Sequence, residues 1–92
     1  MPIKRVHVFY SGNVQGVGFR YTAQYLAMNL GLGGWVKNLA NESVEIVAEG
    51  READIKEFLD QILKGQLGRY IKDTELSWEN PTGEFDSFEI AF

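Results

Sequence analysis

Gly12-Asn-Val-Gln-Gly-Val-Gly-Phe-Arg-Tyr21 joins a run that alternates like a strand to a run with helical period, so it is a strand-to-helix loop. Gly12, Gly16 and Gly18 let the backbone take positive φ and pass close to a ligand with no Cβ in the way. The helix beginning near Phe19 leaves its first amide donors unpaired and turns its positive dipole end to the loop, which makes an anion the natural occupant. Arg20 adds a guanidinium fork suited to holding a phosphate or carboxylate at two points. A plain tight connection with a surface arginine is the alternative. It accounts poorly for an arginine at a helix start, where a cation opposes the dipole unless an anion is expected. The stretch is no Walker loop, for no Lys-Ser or Lys-Thr pair follows the glycines. It is no dinucleotide fingerprint either, since Tyr21 stands where the third glycine would be.

Working outward, Lys4 to Ser11 alternates, with Val6, Val8 and Tyr10 on one face and Arg5, His7 and Phe9 on the other, which makes strand one. His7, the only histidine, sits in that strand rather than in the loop, and it reads as a structural or solvent-facing residue. Phe19, Ala23, Leu26, Ala27 and Leu30 form one stripe of a first helix. Gly31, Gly33 and Gly34 end it, and Trp35 to Asn38 make a short second strand. Asn41-Glu42-Ser43 reads as a hairpin tip. Beyond it, Val44, Ile46 and Ala48 alternate with Glu45, Val47 and Glu49, so strands two and three are antiparallel neighbours.

Ile55, Phe58, Leu59, Ile62 and Leu63 stripe a second helix, with Asp54, Lys56, Glu57, Asp60 and Lys64 on its solvated side. Gly65 to Tyr70 is a linker and Ile71 to Trp78 a fourth strand. Pro81-Thr82-Gly83 turns before a closing alternation of Phe88, Ile90 and Phe92. The order predicts an α+β, ferredoxin-like β-α-β-β-α-β sandwich, an antiparallel sheet with both helices on one face. A short strand at the end would make five. In that arrangement Asn38 comes close to the glycine loop. An asparagine at a strand end is ordinarily a turn former, but beside an anion cradle its carboxamide can position a water molecule.

Residues 1–92 read as one domain, with 45% hydrophobic and 13% aromatic residues for a packed core. The absence of cysteine excludes disulfides, thiolate catalysis and Cys-based metal sites, and leans towards a reducing compartment. No apolar run approaches a signal core or a membrane span, so a soluble, cytoplasmic protein is expected. A net charge of −4 argues against DNA or RNA as partner. Any anion site is local.

Gly12-Asn-Val-Gln-Gly-Val-Gly-Phe-Arg20, with Gly34-Trp-Val-Lys-Asn38 and then Val44-Glu45, resembles the acylphosphatase family, small enzymes that hydrolyse carboxyl phosphates to a carboxylate and inorganic phosphate. The resemblance spans nearly the whole chain. It implies that Arg20 binds phosphate within a loop formed by Gln15, Gly16, Val17, Gly18 and Phe19, and that Asn38 orients the attacking water. Arg20 and Asn38 would be the catalytic residues. It further implies an acyl phosphate substrate, inorganic phosphate as product and inhibitor, no cofactor and no metal. The hairpin tip departs from the pattern, with Asn41-Glu42 where such sequences often have Asp-Gly.

The chemistry suits so bare a site. A carboxylate leaves well without a general acid, and a loose phosphoryl-transfer transition state asks little of a base. Two rivals stand beside it. One is an acylphosphatase-like domain serving a carbamoyl-phosphate pathway within a larger protein, as in hydrogenase maturation factors. The other is a ferredoxin-like binding module without chemistry. The RNA-binding version lacks an RNP-like run, and the metal-carrier version lacks Cys-x-x-Cys. A monomer is expected.

Overall fold

The computed structural model describes residues 2–92. Its elements run β1 (Ile3–Gly12), α1 (Phe19–Asn29), β2 (Gly33–Asn38), β3 (Val44–Arg51), α2 (Glu52–Lys64), a 3-10 turn at Gly68–Tyr70 inside the expected linker, β4 (Ile71–Glu79) and β5 (Phe88–Ile90). The strands form one sheet in the order β4-β1-β3-β2-β5. The first four pair antiparallel, as the alternation requires, and the short fifth strand adds in parallel to β2, so the sheet is mixed at that edge. No helix among the described residues is long and apolar enough to cross a membrane.

Alternation decides which face is covered. Val6, Val8 and Tyr10 of β1, Val36 of β2 and Val44, Ile46 and Ala48 of β3 are buried with Phe19, Ala23 and Ala27 of α1 and Ile55, Phe58 and Ile62 of α2. Both helices therefore lie on one face. Leu63 is the exception to the expected stripe. It is half exposed beside the fully buried Ile62, outside the buried line of Ile55, Phe58 and Ile62.

The opposite face is also covered at its centre. β4 and β5 lie at opposite edges, so residues 80–87 must cross the sheet between them. Thr82 and Gly83 donate their backbone N–H groups to Glu49 at 2.9 and 3.0 Å, and Arg5 pairs with the same carboxylate at 2.8 Å. This strap explains why Glu49, read from alternation as the outer face of β3, is buried. Val47, on the same face, is buried in a cross-strand row with His7 and Trp35. His7 lies on the same face, 2.6 Å from Glu45 and 3.0 Å from Glu79. That supports the structural reading of the histidine.

Two expectations are corrected at the chain's extremities and turns. The final alternation stops at Ile90, and Phe92 is exposed instead of extending the strand. Gly12 takes the positive φ expected of it, +127°, but serves a β-bulge against β4, where an added Cβ would collide with the Tyr70 carbonyl oxygen, rather than bordering a ligand.

Candidate active site

β1 and β2 are each antiparallel to β3 and hence parallel to each other, so their carboxy ends meet at one end of the sheet. Tyr10, Val44 and Asn38 fall in one cross-strand row. Because Val36 faces the helices, Asn38, two residues on, faces them too. The loop leaving β1 climbs from that row to the start of α1, which brings the expected Arg20 and Asn38 to one place.

There they line a recess of about 260 Å³ with Val14, Gly16, Gly18, Phe19 and Tyr21. Gly16 and Gly18 both hold φ of +79°, and a Cβ on either would point into open space. Their backbone thus borders the recess directly, as a cradle for an anion requires. Gly18 caps α1 without any side-chain hydrogen bond, and the first turn carries no acidic residue. The contrast with α2 is informative, since Glu52 and Asp54 occupy its first turn and satisfy the dipole from within. At α1 that position is left for something else, and the residue present is a cation.

Among the described residues no carboxylate pairs with Arg20. Its guanidinium lies 5.4 Å from the Phe92 ring centroid, a cation–π contact that leaves the N–H fork for a ligand. On the facing wall, Asn38 Oδ1 is buried without a hydrogen-bond partner in the protein. A buried carbonyl oxygen left unpaired is costly, and a water molecule donating to it would satisfy it.

The remaining expected residues divide. Phe19 is buried and packs on Tyr10 with ring centroids 5.4 Å apart, so it holds the helix start down while bordering the recess. Val17 packs against the core, and its side chain is not among those lining the recess. The Gln15 side chain is committed elsewhere, with Nε2 donating to the Leu39 and Ser43 carbonyls at 2.8 and 2.9 Å. For Gln15 and Val17 only the backbone can serve an anion. Val14 and Tyr21 also line the recess, but no pattern in the sequence marks them for it. A larger cleft of about 540 Å³ between α2 and β4 involves Lys4, Lys56 and Trp78. There Lys56 is already paired with Glu52 at 2.8 Å, so size does not select the site.

Comparison with known proteins identifies the family and the fold. Residues 6–90 match the family model described as acylphosphatase. An acylphosphatase from Moorella thermoacetica is 46% identical over 91% of this chain and 90% of its own. The crystal structure of acylphosphatase from Bacillus subtilis superposes with a TM-score of 0.89 at 32% identity, over 97% of this chain and 99% of that one. The chain also resembles part of HypF from T. kodakarensis, with a TM-score of 0.83 and 36% identity, but covers only 12% of that chain. With matched residues running from β1 through β5 and coverage near complete on both sides, the chain belongs to the acylphosphatase family.

Proposed function

We propose that the recess at the ends of β1 and β2 hydrolyses the carboxyl-phosphate bond of an acyl phosphate, with Arg20 and the loop amides from Gln15 to Phe19 holding the phosphoryl group and Asn38 orienting the water. That the chain is an acylphosphatase, a hydrolase, follows from its family. The assignment of roles rests foremost on one observation: Asn38 lines the same recess as Arg20 and the glycine loop, and its buried Oδ1 has no hydrogen-bond partner within the protein.

An acceptor-only atom can take a proton-bearing nucleophile but cannot hold a phosphate oxygen, so Oδ1 belongs with the water. The guanidinium and N–H donors are the complementary half. They spread the charge that gathers on the equatorial phosphoryl oxygens, which is positioning plus electrostatic stabilisation. Attack breaks the P–O bond to the acyl oxygen, and the carboxylate leaves without needing a proton. Inorganic phosphate, sharing the phosphoryl oxygens, should bind the same donors and inhibit.

Residues 1–92 act as one acylphosphatase-like domain in this reading, as a cytoplasmic monomer on a small-molecule acyl phosphate, without metal or cofactor. The test is hydrolysis of benzoyl phosphate followed by absorbance, with and without chelator and beside a phosphate monoester. Turnover of the acyl phosphate alone, indifferent to chelator, is expected. Loss with chelator, or equal hydrolysis of the monoester, would overturn the proposal.

A further inference from the structure

The Gln15 side chain spans the two walls of the site without touching the recess. Its Nε2 donates to the Leu39 carbonyl at 2.8 Å and to the Ser43 carbonyl at 2.9 Å. Those two residues close the mouth of the β2–β3 hairpin, immediately beyond Asn38. The hairpin does not need the help. Leu39 N–H already donates to the Ser43 carbonyl at 2.9 Å, and Glu42 N–H to the Leu39 carbonyl at 3.1 Å. Nor does the loop need it for its shape, since Val14 is buried beside it and Asn13 N–H is bonded to the Tyr70 carbonyl at 2.9 Å. What the carboxamide adds is a cross-link between the wall that holds the anion and the wall that carries Asn38.

We infer that Gln15 is a positioning residue, acting through Asn38, that sets the separation between the held phosphoryl group and the attacking water. The inference rests on the water-orienting reading of Asn38. Placement of this kind matters steeply, for a misplacement of about 1 Å can cost about a hundredfold in rate. The effect belongs to the chemical step, because the donors that bind the anion lie on the other side of the link.

Gln15→Met keeps the length of the side chain and removes both donors. Its kcat on benzoyl phosphate, its inhibition constant for inorganic phosphate and its Tm are measured in the wild-type and in the Asn38→Ala background. The expected result is a fall in kcat of about ten- to a hundredfold with phosphate inhibition nearly unchanged, and no further fall when Asn38 is already absent. Gln15→Asn retains the donors but is too short to reach both carbonyls. It is expected to lie between, and it carries the test if the Met variant does not fold. Parallel weakening of phosphate inhibition would make Gln15 an anion ligand instead. An undiminished loss in the Asn38→Ala background would show that it shapes the loop alone. Either result overturns this inference while leaving Asn38's role intact, whereas normal turnover by Asn38→Ala itself would remove both.

Discussion

Asn38→Ala separates a residue kept for chemistry from one kept for structure, because the two predict different effects on stability. The buried Oδ1 has no protein partner, so its removal breaks no hydrogen bond within the protein and should leave Tm nearly unchanged. Loss of a structural hydrogen bond of about 1 kcal/mol would instead lower Tm by about 4–8 °C in a domain of this size. Turnover should fall. The missing hydrogen bond to water is worth about 0.5–1.5 kcal/mol, and lost alignment adds up to about a hundredfold. Together they lower kcat by about 10²- to 10³-fold. Inorganic phosphate should still inhibit, since its donors are untouched. Steady-state hydrolysis of benzoyl phosphate, phosphate inhibition and a thermal melt on the same preparation give all three readings. A variant that melts several degrees lower would place Asn38 among the structural turn formers, and one that keeps its kcat would remove the water from its care.

Arg20→Gln should lower kcat/KM by about 10²- to 10³-fold, as loss of one oxyanion donor does, and weaken phosphate inhibition with it; an unchanged specificity constant would reject the role. Glu42, at the hairpin tip, holds φ of +70°, a left-handed conformation costing a non-glycine residue about 1–2 kcal/mol. Glu42→Gly should therefore raise Tm in a melt, and a fall would mean that the side chain supports the turn. Burial alone would lower the pKa of His7, but hydrogen bonds to Glu45 and Glu79 outweigh it and the net shift is upward. Its charged form stabilises the fold fully below about pH 6.5 and loses that contribution as pH rises through the raised folded pKa. The Tm gap between wild type and His7→Gln should accordingly close on the alkaline side at unchanged kcat, and a gap that widened there would reverse the sign.

What could be read from the chain is what lies within a few residues of itself. The spacing of Phe19, Ala23 and Ala27 marked the buried side of α1, and the glycines before Phe19 marked an uncapped helix start, because both effects act over one or two turns. Glu49 shows the opposite case. Its alternation with Ile46 and Ala48 correctly put it on the far face, but the strap that buries it comes from residues 80–87, more than thirty positions on. Gln15 is similar. A polar residue in a glycine loop reads as a ligand contact, and only the fold brings the Leu39 and Ser43 carbonyls within its reach.

The reactive arrangement itself depends on register more than on motif. The loop from Gly16 to Arg20 could form its cradle against α1 whatever β2 did, since its geometry is local. Asn38 faces that cradle only because Val36 pairs with Ile46 and Asn38 with Val44. A slip of one residue would carry every side chain of β2 to the other face, putting Lys37 towards the helices and Asn38 towards Trp35's side. Val36 is fully buried in the present register, and the slip would exchange it for charged or aromatic neighbours. The apolar core thus fixes the position of a polar side chain, and the burial that stabilises the sheet is the same constraint that places the Asn38 carboxamide at the recess beside the glycine loop.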